Sequence, residues 1–280
     1  LILLFNRFRI KQKANIMLKA KNEIIERQKN NIIDSIDYAR RIQQSILVHE
    51  EDIQKHLPDS FIYYQPKDIV SGDFYWFSHQ NDKSIIAAVD CTGHGVPGAF
   101  MSMIGNTLMN EIINEKKITE PAVVLSELHS SILNTLQQEG ENAQSQDGMD
   151  MALCVIDHKS NLIRFAGAKN PLYIIRNGTL EMIEADIHSI GGKSYMSGKE
   201  VEPKFTGHEI PIEKNMVIYM FSDGYMDQFG GKKNIKFSSL RFKQLLLDNY
   251  ELDMQQQKAS LSKAIDDWQG DYKQIDDILV

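Results

Sequence analysis

The chain has 280 residues, of which 42% are hydrophobic and 9% aromatic, enough to bury a sizeable core in one large domain without demanding two. A formal net charge of −7 and a pI near 5.6 leave no basic surplus to neutralise phosphates, which argues against a nucleic-acid partner. The two cysteines, Cys91 and Cys154, lie in or beside apolar strand-like runs. That placement fits a reducing compartment and small buried side chains rather than a disulfide framework.

The chain opens with LILLFNRFRIKQK. Leu1 to Phe5 is far too short to span a bilayer, which takes about 20 residues. Arg7, Arg9, Lys11 and Lys13 come directly after it. Two readings fit: the cytoplasmic end of a membrane helix whose upstream part lies outside this sequence, or the frayed start of an amphipathic helix. The first assigns residues 1–9 to a truncated transmembrane helix and places the rest of the chain in the cytoplasm. At the other end the chain stops in DDILV, inside a strand pattern, so a fragment of a longer protein is expected.

Residues 10–56 contain no proline or glycine, and Leu18, Ile25, Ile32, Ala39 and Ile46 recur as a heptad column. The companion column, Asn22, Lys29, Ile36 and Gln43, is mostly polar, which makes any coiled coil weak. Residues 10–57 are therefore expected to be a signalling linker helix, closed by Pro58. It would form a homodimer and carry a signal from an upstream sensor domain. The alternative is a single helix that packs its second half, around Ile32, Ile33, Ile36, Ile42, Ile46 and Leu47, on the next domain.

From residue 58 the pattern changes to strands: FIYYQP, GDFYWFSH, SIIAAVD, MALCVID, LIRFAGA, LYIIRNG, KFTGHEI and MVIYMFSDG. DHKSN at 157–161 and Asn177-Gly178 are hairpin signals, so the sheets are predicted antiparallel. One helix is predicted from near Pro97, with Phe100, Ile104, Leu108 and Ile112 on its inner face. A second is predicted from Pro121 with Thr119 as its cap, through Leu125, Leu128, Ile132, Leu133 and Leu136. Residues 238–268 read as helical too. Many antiparallel strands with a few amphipathic helices predict an α+β fold in layers, sheets face to face and helices outside.

Four strand-like segments deliver acids: Asp73 inside VSGDFYWF, Asp90 at the end of SIIAAVD, Asp223 at the end of MVIYMFSD, and Asp276 and Asp277 before ILV. No Lys or Arg lies within two residues of Asp73, Asp90 or Asp223. A desolvated, unpaired carboxylate costs several kcal/mol or takes up a proton. If these acids converge, something cationic must hold them, and hard divalent ions are the natural partners of an all-oxygen donor set.

VSGDFYWF, VDCTGHGVPGAF, MFSDGYMDQF and IDDILV resemble, in order and spacing, the metal-dependent protein phosphatase superfamily of type 2C Ser/Thr phosphatases, most of all its bacterial SpoIIE branch. The resemblance covers about residues 61–280, and SIDYARRIQQSIL is similar to the linker helix that precedes such domains. It implies a four-layer α-β-β-α sandwich of two antiparallel sheets flanked by helices, spanning residues 58–280, with two Mn²⁺ or Mg²⁺ ions at one edge. Carried over, Asp73, Asp90, Asp223 and Asp276 are metal ligands, Asp90 bridging, and Cys91 contributes its backbone carbonyl. Asp277 stands behind them, and Asp147 or Asp150 is a candidate for a third ion.

The implied chemistry is hydrolysis of phosphoserine or phosphothreonine on a signalling phosphoprotein, in this branch an anti-sigma-factor antagonist, by a hydroxide formed between two cations. His94 is the nearby candidate acid for the leaving group; its alternative role is to cap the loop or bind a carboxylate. No arginine near Asp73 matches the phosphate-gripping arginine of eukaryotic members. The rival readings are a catalytically inactive dimerising scaffold, against which the retained acids speak, and a metal-dependent nuclease, which the acidic pI disfavours.

Overall fold

The computed structural model describes residues 2–138, 145–196 and 199–280. It divides into two compact units, residues 1–42 and 43–280. Helix α1 (Ile2–Ile46) supplies the described residues of the first unit. Its heptad residues Leu18, Ile25 and Ile32 are all more than half exposed. Among the described residues no helix is long and apolar enough to cross a membrane.

The second unit continues through α2 (Glu50–Gln54), β1 (Tyr64–Gln65), β2 (Phe74–Gln80) and β3 (Lys83–Cys91). Next come α3 (Gly95–Met109), which runs into a π-helical turn at Asn110–Glu115, and α4 (Pro121–Thr135). Strands β4 (Met149–Asp157), β5 (Leu162–Ala168), β6 (Leu172–Arg176) and β7 (Thr179–Ile183) form two successive hairpins. Short elements come after them: β8 (Ser194–Met196), β9 (Lys199–Val201), β10 (His208–Pro211), β11 (Val217–Tyr219) and α5 (Gly224–Asp227). The chain closes with β12 (Phe229–Gly230), β13 (Ile235–Lys236), α6 (Ser239–Asn249), α7 (Met254–Gln269) and β14 (Ile278–Leu279).

Among the described residues the main sheets are five-stranded, in the order β10-β5-β4-β3-β2, and three-stranded, β11-β6-β7, with antiparallel pairing throughout. Period-two alternation sorts their side chains into layers. Phe74, Trp76, Val89, Met151 and Leu153 pack with Met101 and Met109 of α3 and Leu125, Leu128 and Ile132 of α4. Their strand neighbours Ala152, Cys154, Phe165, Leu172 and Ile174 fill the space between the sheets. Tyr173 and Ile175 point the other way, onto Phe242, Leu246, Leu261 and Ile265 of α6 and α7. The result is the expected α-β-β-α sandwich, with both cysteines free and buried. The Asn177-Gly178 turn has both residues at positive φ, as a tight two-residue hairpin demands.

Several local expectations are corrected. Helix α1 ends at Ile46, short of Pro58, and a separate turn of helix comes next. Of the inner face predicted for α3, Ile104, Leu108 and Ile112 pack on the core but Phe100 is 64% exposed, and the most buried positions of the helix also include Met101, Ser102, Gly105 and Met109. Small side chains there let the helix approach the sheet closely, so burial does not track the largest apolar residues. Glu120 rather than Thr119 occupies the cap position of α4. The span 238–268 is two helices, broken where Asp253 caps α7 by accepting from the Gln256 amide. Asp73 lies just before β2 rather than inside it, and Asp223 sits at the N-cap position of α5, beyond the end of β11.

Candidate metal centre

The basin lies where the amino end of β2, the carboxyl end of β3, the turn into α5 and the approach to β14 meet. Asp90 shares strand parity with Ala88 and lies opposite Asp150 in the β3–β4 register. Like charges directly opposite on neighbouring strands repel. The loop before β2 is held at both ends by one buried carboxylate: the Lys67 amide donates to Asp277 Oδ1 at 2.7 Å and the Gly72 amide to Oδ2 at 2.7 Å. The loop is also pressed onto the glycine-rich turn after β3, because a Cβ at Gly72 would overlap the Gly93 carbonyl and approach the Cys91 carbonyl to 3.3 Å. Only a glycine fits there.

Asp73 is the next residue. The Tyr64 and Ser71 hydroxyls each donate to its backbone carbonyl at 3.0 Å. The residue is 2% exposed, and its Oδ2 has no hydrogen-bond partner. Burial first, and then the charge of Asp90, push the Asp73 carboxyl well above its ordinary range, with Asp277 and Asp276 adding to the effect and Ser222 opposing it by a hydrogen bond. Burial, Asp223, Asp150 and Asp276 push Asp90 up to about 7. Burial, Asp227, Asp276 and Asp150 push Asp223 up to about 6, although this residue keeps substantial solvent contact. The Asp276 carboxylate accepts from the Asp277 amide at 2.9 Å.

The acids from distant parts of the sequence therefore act on one another. Cys91 directs a buried thiol into the helix-side core, where burial raises its pKa, and only its carbonyl borders the Asp73 loop. Asp147 instead accepts from the Ser145 hydroxyl at 2.7 Å. Asp150 accepts from Ser189 at 2.6 Å and lies 3.4 Å from the Lys169 ammonium. His94 does not bond the basin acids; its Nδ1 lies 2.7 Å from Asp68 Oδ2. Among the described residues, no three acidic, histidine or cysteine groups close in tightly enough to enclose a single ion.

The donor set nonetheless fits hard divalent cations. It offers carboxylate and carbonyl oxygens, including the buried Asp73 Oδ2 without a partner, where burial and the neighbouring acids oppose ionisation. Magnesium-like ions keep several waters and need only one or two carboxylates each, so open spacing is compatible with binding. Sequence reasoning missed Asp68, Ser222 and the direct facing of Asp90 and Asp150. The last was legible: Asp90 ends one apolar run and Asp150 begins another, as antiparallel partners do.

Fold and basin together define a PP2C-like phosphatase domain. The chain belongs to the SpoIIE family: the model of that family, Stage II sporulation protein E, matches residues 80–280. The chain is 31% identical to the SiaA-PP2C domain of Pseudomonas aeruginosa, with a TM-score of 0.79, covering 90% of this chain and 96% of that one. It is 20% identical to a structure of the PP2C phosphatase domain and part of the regulatory domain of SpoIIE from Bacillus subtilis, with a TM-score of 0.60 over 78% of this chain and 59% of that one. RsbX in complex with magnesium shares the fold at 12% identity, with a TM-score of 0.51 over 78% of this chain and 90% of that one. No curated protein matches the chain.

Proposed function

We propose that residues 58–280 hydrolyse phosphoserine or phosphothreonine on a signalling phosphoprotein of the anti-sigma-factor-antagonist class, under control of the helix at 10–57. The single observation that carries this reading is the set of acids that raise one another's pKa around a buried, unpartnered carboxylate oxygen. A structure with no use for cations would pair or expose Asp73. Asp73, Asp90, Asp223 and Asp276, with the Cys91 carbonyl, would hold two Mn²⁺ or Mg²⁺ ions, a choice supported by magnesium in the related RsbX. Such ions lower the pKa of water and neutralise phosphoryl oxygens.

The chain's own groups do the positioning. Asp277 fixes both ends of the Asp73 loop. Ser222 bonds Asp73 and also accepts from the Leu279 amide, so the turn into α5 is tied to both the Asp73 loop and β14. The amino end of α3, directly after the Asp90 turn, favours an anionic substrate group. His94 supplies the proton that the departing seryl or threonyl oxygen needs. The exposed column Leu18, Ile25 and Ile32 is the surface through which two copies would pair.

The test is phosphate release from a phosphoserine peptide with and without Mn²⁺. Metal-dependent release that is abolished in Asp90→Asn is expected. Absence of release at any metal concentration would leave a dimerising scaffold as the better description.

A further inference from the structure

We infer that Asp68 is the positioning residue for His94, and that the two form a proton-donating dyad at the rim of the basin. This rests on the phosphatase reading. Asp68 and His94 lie in the two loops that the basin brings together. Asp68 sits in the loop before β2 that Asp277 anchors, and His94 in the turn after Cys91. These loops pack backbone to backbone at Gly72 and Gly93, so His94 is one residue from a carbonyl seated beside the loop of Asp73.

Two glycines bracket the histidine, Gly93 at φ +82° and Gly95 at φ +65°, and His94 between them is extended. This left-right-left backbone holds one side chain in a defined place. The imidazole Nδ1 meets Asp68 Oδ2 at 2.7 Å, and a Cβ on Gly95 would come within 3.2 Å of the same oxygen. His94 takes the cap position of α3 but bonds none of that helix's amides, so capping does not explain it.

Stability does not explain it either. Both side chains are about half exposed, 49% and 47%, and exposed pairs contribute about 0–1 kcal/mol. What the contact does fix is chemistry. With Nδ1 given to the carboxylate, Nε2 is the nitrogen left to exchange a proton, and among the described residues it has no partner. In hydrolysis, a water oxygen forms the new bond to phosphorus as the bond from phosphorus to the seryl oxygen breaks. The electron pair stays on the seryl oxygen, which takes the Nε2 proton; the proton released by the water passes to solvent, from which the ring is reloaded. A carboxylate at Nδ1 orients the ring, so that Nε2 faces away from Asp68.

The experiment compares the whole 280-residue wild type with Asp68→Asn, Asp68→Glu, His94→Ala and the double variant Asp68→Asn/His94→Ala at saturating Mn²⁺. Two substrates are used: a phosphoserine peptide, whose alkoxide needs a proton, and p-nitrophenyl phosphate, whose phenolate leaves without one. Expected is a fall in kcat on the peptide of about 100-fold for His94→Ala, the lower end of the range for general acid catalysis, and of about 10–100-fold for Asp68→Asn, which leaves the acid in place but unoriented, with KM little changed. Less than about threefold loss on p-nitrophenyl phosphate is expected, with Asp68→Glu recovering most of the peptide activity. The double variant should be no worse than His94→Ala, as for residues acting as a unit. Equal losses on both substrates, or independent losses that multiply, would mean that the pair only latches two loops, and the inference fails. Full peptide activity in Asp68→Asn overturns it too. A wild type inactive on both substrates would instead refute the phosphatase reading itself.

Discussion

Replacing Asp90 with asparagine should stabilise the metal-free protein while destroying its use of metal. In the folded chain the Asp90 carboxyl is pushed up to about 7 by burial and by Asp223, Asp150 and Asp276. Its unfolded value is near the ordinary one, so between roughly pH 4 and 7 the folded state binds more protons than the unfolded state, and stability falls as pH rises. The contribution is fully present below pH 4 and lost as pH climbs through about 7. Holding the ionised form at pH 8 costs roughly 4 kcal/mol as an upper limit, against roughly 1–2 kcal/mol at pH 5. Asparagine keeps the shape and removes the charge. Its advantage over aspartate should therefore grow by about 2–3 kcal/mol from pH 5 to pH 8, a shift in relative Tm of about 5–10 °C for a domain of this size. The assay is thermal unfolding of both proteins in chelator at the two pH values, repeated with Mn²⁺. Metal should raise the wild-type Tm at pH 8 and leave the variant nearly unmoved. An asparagine variant that is less stable than wild type in chelator at pH 8, or a difference that ignores pH, would refute the idea that Asp90 is held against its neighbours' charge.

Other perturbations probe the parts around it. Wild type alone, in chelator, should lose Tm steadily between pH 5 and 8, since Asp73, Asp90 and Asp223 are all raised; a flat profile in calorimetry contradicts this. Gly72→Ala forces a methyl group onto the Gly93 carbonyl, and equilibrium denaturation should show a loss of about 1–3 kcal/mol together with a smaller Mn²⁺-induced rise in Tm. Gln43→Ala strips the Ser71 amide and carbonyl and the Ser102 hydroxyl of buried partners, and urea unfolding should report a loss of about 1–3 kcal/mol. Ile32→Asp, at an exposed heptad position, should shift sedimentation towards monomer without lowering the Tm of the phosphatase domain.

The sequence by itself determined the layers. Alternation in SIIAAVD and MALCVID, with turn signals at 157–161 and 177–178, dictates antiparallel sheets with two apolar faces, because strand geometry sends successive side chains to opposite sides. It also marked Asp73, Asp90, Asp223 and Asp276 as costly acids, since local composition leaves the first three without a basic neighbour and gives Asp276 only Lys273. Tertiary structure alone decided how they meet. Gln43 reads as a polar flaw in a heptad column, yet it is buried at 4% exposure with its amide bonded to Ser71 and Ser102. Asp277 reads as a twin of Asp276, yet it clamps amides more than 200 residues away. Asp68 and His94, 26 residues apart, carry no local signal that joins them. Periodicity records which side of an element is wet or dry, whereas a hydrogen bond between loops depends on where the packed layers set their ends in space.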